Sequence, residues 1–469
     1  MPPRLSKFSI PASCIDYVHP WTNSCVSATA GLGLHALQDS LRIYSTVYFV
    51  TLLMKGRVPS KNDIKRTVLG ILQSTAFLSW SAFAYSMFLC LLRRSSGNFN
   101  ILTVSFLPSF LSSLSAIVIE RPSRRTLLCL YVSNIATETL FRMGVWRGYF
   151  SAIPHGELYI FAGSMAMLLH YYRSDNSQND SIFKILQSVL FIVIFIEHNY
   201  NEIEKKGDSS SATSSKSGDK LKRGKKTNTS NNQILNACQS AFNTYKYLIG
   251  ILKSQHKHIS CPHPFSCYHY ILSGSSKLFS IGIGVQLAIK LVFQFKRILN
   301  RPKIAKQIIF RRENLYLGMF VGGFTGIYRM LSCTLRRSFG KDSKYYAIPA
   351  GLAASIAFSM YPDNTIALYV MWKALQILWN SGVEAGKVPE VKWFVIILYC
   401  FSTAVLFHAA IIEPQNLRSS YWKFLHSLSG GRIASMARRP LDEFGLGTSI
   451  SLADVLRKTK TTDNIAYSF

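Results

Sequence analysis

Acidic residues are scarce in this chain: 23 Asp+Glu stand against 53 Lys+Arg, a formal net charge of +30 over 469 residues. Charge of either sign is also thin, at 16% of residues, where soluble domains average roughly 25%. The second shortage tempers the first. A nucleic-acid binder carries its positive charge on a polar surface, whereas here 48% of residues are hydrophobic and the mean hydropathy is +0.16. Catalytic signatures are missing as well. There is no G-x-S-x-G, H-E-x-x-H, P-loop or G-x-G-x-x-G after a strand, and Gly282 and Gly284 form a G-x-G inside an apolar stretch, which reads as packing. These absences point away from an enzyme and away from nucleic acid. Residues 1–25 lack the apolar core of a secretory signal, and Tyr467-Ser468-Phe469 is neither a peroxisomal tail nor a lipidation box, so targeting is expected to be internal.

The apolar residues come in blocks. Residues 68–92 and 101–119 hold no charge, and further blocks occupy 276–295, 314–335, 345–361, 364–381 and 391–412. Weaker ones lie at 39–54, 126–142 and 156–172, and a short one at 182–196. About 20 apolar residues cross a bilayer core as a helix, and helices satisfy their own backbone there. The pattern predicts an all-α, polytopic membrane bundle of ten or eleven spans, the eleventh being 182–196. Residues 199–233 hold seven Ser and eight Lys/Arg with almost no apolar mass, which reads as a disordered basic linker.

The blocks repeat. With Tyr131 placed over Tyr369, an offset of 369 − 131 = 238, Leu130/Leu368, Val132/Val370, Ala136/Ala374, Leu140/Leu378, Gly144/Gly382, Val145/Val383 and Gly148/Gly386 coincide without a gap. His19-Pro20-Trp21 before Cys25 matches His263-Pro264-Phe265 before Cys267. This predicts two related five-helix halves and the following division: a Cys/His segment at 1–38, a first membrane half at 39–172, a connector at 173–254, a second Cys/His segment at 255–274, a second membrane half at 275–412 and a basic C-terminal tail at 413–469. Repeats of this kind are common in secondary transporters. The loop after the first block of each half is basic, with Lys55, Arg57, Lys61, Lys65 and Arg66 in one and Lys296, Arg297, Arg301, Lys303, Lys306, Arg311 and Arg312 in the other. If basic loops share a side, the halves are parallel and 182–196 crosses.

Small residues recur every four positions at Gly318/Gly322/Gly326, at Ala347/Gly351/Ser355/Ser359 and at Ser105/Ser109/Ser113, a spacing that lets helices approach closely. Glu138, Arg142, Arg329, Lys373 and His408 fall in or near the blocks and need partners there. Glu138 can reach Arg142 on its own helix or Lys373 across the repeat. Of the nine cysteines, Cys90, Cys129, Cys333 and Cys400 read as small core residues. Cys261, His263, Cys267 and His269, with Cys14, His19 and Cys25 as an N-terminal echo, carry zinc-type ligands in a loose C-x5-C spacing. Polar loop caps are the default for them. A structural zinc or a disulfide, shared between the clusters, is the alternative.

Several strings together resemble the transmembrane protein 135 family: Ser40-Leu41-Arg42-Ile43-Tyr44, Ile119-Glu120-Arg121 with Arg124-Arg125, Ala136-Thr137-Glu138-Thr139-Leu140-Phe141-Arg142-Met143-Gly144, Gly382-Val383-Glu384-Ala385-Gly386-Lys387-Val388-Pro389, and Leu417-Arg418 before Ser420-Tyr421-Trp422-Lys423-Phe424-Leu425, with Cys14, His19-Pro20 and Cys25. The resemblance implies residence in mitochondrial and peroxisomal membranes. It implies a role favouring mitochondrial fission through a dynamin-related GTPase, and in peroxisome organisation and lipid metabolism. The second half is also similar to the import-translocase superfamily of the mitochondrial inner membrane. The expected partners are membrane lipids, anionic headgroups included, and the fission machinery. The alternative is a transporter or translocation pore for lipid, metabolite or protein, built on the repeat.

Overall fold

The structure is a computed structural model that describes residues 6–54, 60–174 and 247–465, save 249, 256, 257, 264 and 302. The block at 182–196 and the linker at 199–233 lie outside the described residues. The fold is all-α. Its strands among the described residues are β1 (Ser9–Ile10) and β2 (Phe99–Asn100), one antiparallel pair in which Ser9 faces Asn100 and Ile10 faces Phe99.

In each repeat the apolar blocks become five helices. The first repeat gives α1 (Cys25–Met54), α2 (Lys61–Ser96), α3 (Phe106–Ile117), α4 (Pro122–Trp146) and α5 (Gly156–Ser174). The second gives α6 (Cys267–Asn300), α7 (Glu313–Phe339), α8 (Ala347–Ala354, extended by a 3-10 stretch at Ser355–Met360), α9 (Asn364–Glu384) and α10 (Phe394–Ile412). Helix ends follow local chemistry, and equivalent ends use the same device. Helix α2 starts at a Ser60/Asp63 capping box, and α4 starts with proline, whose missing N–H is not needed in a first turn. Gly97 after α2 and Gly340 after α7 are both left-handed, at φ 72° and 65°. Gly148 after α4 and Gly386 after α9 are left-handed too, at φ 74° and 67°. Their amides bond the carbonyls of Val145 and Val383, each at 3.0 Å. An L side chain at φ near +60° is strained, so glycine stops both helices of each pair at the same register.

The chain divides into two compact units, residues 1–154 with 375–469, and residues 155–374. This boundary differs from that of the repeats: α10, the fifth helix of the second repeat, belongs to the first unit, and α5, the fifth of the first repeat, belongs to the second. Inside the first unit α10 packs on α3 and α4, with Phe106 edge-on to Phe401 at 5.8 Å and Ser133 Oγ 3.0 Å from Ser402 Oγ. Inside the second, α5 packs on α8, with Phe161 stacked on Phe358 at 4.2 Å and Ala166 against Gly351. Each fifth helix thus meets the third helix of the other repeat.

Residues 413–465 are folded into the first unit's core. Helix α11 (Ser419–Leu428) brings in Trp422 and the 3-10 stretch Arg439–Phe444 brings in Leu441 and Phe444, all at 0% exposure, beside Tyr17, Phe99 and Leu89, while α12 (Thr448–Thr459) adds Leu452 and Val455. The basic tail of the sequence reading is therefore a structural element with most of its apolar residues buried and Ile450 exposed.

The span count of ten or eleven is not confirmed. Among the described residues three helices are long and apolar enough to cross a membrane, Lys61–Ser96, Cys267–Val292 and Phe394–Ile412. Two of the other blocks differ from these in plain ways. Helix α3, Phe106–Ile117, has 12 residues, about 18 Å at the α-helical rise, short of a ~30 Å core. Helix α4 is long but carries Arg124, Arg125, Glu138 and Arg142.

Candidate metal centres

Eight side chains form two tetrads. Cys14, His19, Cys25 and Cys90 bring their ligand atoms within 4.8 Å of one another, and so do Cys261, His263, Cys267 and Cys333. Each tetrad lies wholly within one compact unit and is complete by itself. Both are built the same way. A leading segment supplies Cys and His, the first residue of the long helix α1 or α6 supplies the next Cys, and the second helix returns the last. In the first unit the return is level: Cys25 lies 54 − 25 = 29 residues from the end of α1, and Cys90 lies 90 − 61 = 29 residues from the start of α2.

The distances fit tetrahedral coordination. Bonds of ~2.3 Å to sulfur and ~2.0 Å to nitrogen place ligand atoms about 3.5–3.8 Å apart. Cys261 Sγ and Cys267 Sγ are 3.8 Å apart, His263 Nε2 is 3.6 Å from Cys333 Sγ, and His19 Nε2 is 3.2 Å from Cys25 Sγ. The thiols are free rather than disulfide-bonded. Both imidazoles are oriented for coordination. His19 Nδ1 meets the Thr22 carbonyl at 2.8 Å and His263 Nδ1 the Phe265 carbonyl at 2.6 Å. An Nδ1–H donating there fixes the tautomer and leaves the Nε2 lone pair toward the sulfurs. These clusters could hold metal ions.

Second-layer contacts reinforce the second tetrad. The His263 ring stacks on Tyr270 at 4.6 Å, and the Arg329 guanidinium lies over that same ring at 4.2 Å while Nη1 donates to the Tyr270 carbonyl at 2.8 Å. Gly274 admits the guanidinium, since a Cβ there would lie 2.1 Å from Arg329 Nη1. Arg329 is thus a brace for the tetrad's histidine. The tetrads differ in electrostatics. The Cys14 thiol is drawn down to about 6, chiefly by the hydrogen bond from Cys90, with His19, Cys25 and Arg93 acting the same way against desolvation. Burial pushes the Cys261 thiol up.

Among the sequence candidates, His269 stays outside its tetrad, edge-on to Phe265 at 5.3 Å. Cys333, Cys129 and Cys400 are buried, at 6%, 3% and 0% exposure, and Cys90 packs half-buried against the core; Cys90 and Cys333 also complete the tetrads, which the reading as core cysteines did not supply. A signal existed: Cys25 to Cys90 is 90 − 25 = 65 residues, Cys267 to Cys333 is 333 − 267 = 66, and each last cysteine precedes its left-handed glycine by seven, 97 − 90 and 340 − 333.

The intramembrane polar candidates separate by unit. Glu138, 7% exposed, pairs with Arg142 and with Arg418, a partner beyond the last apolar block that the sequence reading did not supply. Arg147 pairs with Glu413, 0% exposed, whose other oxygen accepts from Asn416 Nδ2 at 3.0 Å. Lys373 is half-buried on α9 in the other unit. His408 Nδ1 and Ser105 Oγ are hydrogen-bonded at 2.9 Å. Gly318, Gly322 and Gly326 face α6: a Cβ on Gly318 would lie 2.9 Å from the Phe279 carbonyl, and Gly322 accepts from Ser275 Oγ at 2.8 Å.

Residues 11–145 match the family model of the N-terminal cysteine-rich region of Transmembrane protein 135. That span contains all four ligands of the first tetrad. No solved structure matches the chain.

Proposed function

Taking the chain as a member of the transmembrane protein 135 family, we propose that it is a non-enzymatic, multi-pass protein of mitochondrial and peroxisomal membranes that favours mitochondrial fission and shapes peroxisome organisation and lipid metabolism, with a structural zinc at each tetrad. The observation that carries the zinc is the duplicated Cys3His set with both imidazoles held through Nδ1. Three thiolates and a neutral imidazole suit Zn²⁺, and a closed set of four leaves no open position for a reacting group. Zinc would tie each leading segment to the end of a second helix some 65 residues away (90 − 25). The organelle role is supported by the family match over residues 11–145 and by three membrane-length helices. In this reading the folded C-terminal segment and basic loops recruit a dynamin-related GTPase.

Two measurements test the reading. Metal analysis of the purified full-length protein is expected to give two zinc ions per chain, one in Cys90→Ser and one in Cys333→Ser. Wild-type protein purified without zinc would end that part. Cells lacking the protein are expected to show elongated mitochondria that wild type shortens, with the fission GTPase returning to mitochondrial membranes. Normal mitochondrial length in those cells would end the organelle part.

A transport reading is favoured by a different observation, the internal repeat at an offset of 238 residues (369 − 131), because secondary transporters are commonly built from such repeats. Flux of a lipid or metabolite in proteoliposomes that Glu138→Gln abolishes, with organelle shape unchanged, would favour it over recruitment.

A further inference from the structure

Among the described residues the buried carboxylates of the first unit are Glu120, Glu138 and Glu413, and each is taken by arginine: Glu120 by Arg124, Glu138 by Arg142 and Arg418, Glu413 by Arg147. Arg438 has no such match. It is 3% exposed. Its Nη2 donates to the Ile433 carbonyl at 2.9 Å, while Nε and Nη1 meet no acceptor among the described residues. The ionisable groups within its electrostatic reach are the phenols of Tyr17 and Tyr85, with no carboxylate among them. Tyr17 is committed, its hydroxyl donating to the Val104 carbonyl at 3.0 Å. The Tyr85 hydroxyl is buried and meets no partner among the described residues.

A guanidinium does not discharge under physiological conditions, and a buried charge without a counter-charge is among the most costly arrangements in a protein. Water satisfies its N–H groups but leaves the charge. The surroundings indicate how a counter-charge arrives. Tyr85 sits on α2 with its ring 4.9 Å from Phe407 on α10, and α2 and α10 are two of the three membrane-length helices. On the other side, the amide of Ala437 donates to the Tyr17 carbonyl at 3.0 Å, so the segment bearing Arg438 closes against the N-terminal segment. We infer that Arg438 and the Tyr85 hydroxyl form the recognition end of a site for one oxyanion of phosphate type, carried by an anionic phospholipid headgroup or as free phosphate. The oxyanion neutralises the guanidinium and accepts the Tyr85 O–H, joining the C-terminal segment to α2.

The test uses full-length protein in a phosphate-free maltoside detergent, with and without added phosphatidylglycerol, and separately with inorganic phosphate, all at high salt so that exposed basic loops are screened. The thermal midpoint of wild type is expected to rise by about 2–4 °C or more with the anion. Arg438→Met is expected to show no rise, and Tyr85→Phe a smaller one. A rise with phosphate alone identifies the free ion as ligand; a rise only with phosphatidylglycerol identifies the headgroup. The inference is overturned if neither anion moves wild type, or if Arg438→Met responds like wild type. It is also overturned if Arg438→Met is the more stable protein in every condition, the behaviour of a simply unpaired charge. Should Arg438→Met not fold, Tyr85→Phe decides: an undiminished rise overturns the site.

Discussion

Replacing Glu138 by glutamine should cost far more stability than its position on a single helix suggests. Its carboxylate, 8% exposed, is shared by Arg142 on the same helix, 42% exposed, and Arg418 beyond α10, 12% exposed. When the carboxylate is lost, Arg142 turns to solvent, and an exposed i,i+4 pair carries only about 0.3–0.5 kcal/mol. Arg418 cannot turn away. It loses its Glu138 ion pair inside the core, and breaking a buried pair costs roughly 3–5 kcal/mol. We take about 3 kcal/mol, because glutamine still offers one acceptor oxygen. At about 2–4 °C per kcal/mol for a unit of this size, the midpoint falls by about 6–12 °C. The assay is thermal unfolding of the purified protein in detergent for Glu138→Gln, Arg142→Gln, Arg418→Gln and the Glu138→Gln/Arg418→Gln double variant. Arg142→Gln is expected within about 1 kcal/mol of wild type. The double variant is expected to be more stable than Glu138→Gln alone, since the buried guanidinium is gone, with a coupling of about 2–3 kcal/mol. Additive single effects, or equal losses for Arg142→Gln and Arg418→Gln, would refute the assignment of the cost to burial of Arg418.

Chelation by a membrane-permeant zinc ligand is expected to lower the midpoint of wild type in two steps, one of which disappears in Cys90→Ser and the other in Cys333→Ser; Cys129→Ser is expected to keep both. In metal-stripped protein the low thiol pKa of Cys14 predicts alkylation at neutral pH ahead of Cys261, and Cys90→Ala, which removes the hydrogen bond holding Cys14 down, is expected to move its reactivity to higher pH, read by peptide mass spectrometry. Gly340→Ala places a Cβ at φ 65° and is expected to cost about 1–2 kcal/mol in thermal unfolding although a Cβ there meets nothing within 4 Å. Phe161→Ala removes the ring stacked on Phe358 at the centre of the second unit and is expected to cost about 3–5 kcal/mol.

The helices were legible because their causes are local. Ser60 with Asp63, Pro122, and the glycines at 97, 148, 340 and 386 each start or stop a helix through their own backbone chemistry, and the offset of 238 exposed the repeat because one register serves Gly144/Gly148 and Gly382/Gly386 alike. The small-residue stripe at 318, 322 and 326 needed only helical periodicity. The span count was less legible, because apolar blocks do not tell a membrane-length helix from a short one such as Phe106–Ile117. The metal tetrads were half legible. Cys14, His19 and Cys25 are near neighbours in the chain, and so are Cys261, His263 and Cys267. Cys90 and Cys333 reach them only because each second helix runs back beside the first.

The sequence alone determined helical class, repeat register and a basic, apolar composition, since backbone propensity, glycine stereochemistry and hydrophobic periodicity act over a few residues. Tertiary structure decided the rest. It carried α5 and α10 into each other's units, folded the C-terminal segment into the core, gave Glu138 its partner 280 residues away (418 − 138), completed both tetrads, and left Arg438 buried without a counter-charge. These outcomes depend on which surfaces exclude water together. Each apolar stripe has several possible partners, and the choice among them is made by the packing of the whole unit.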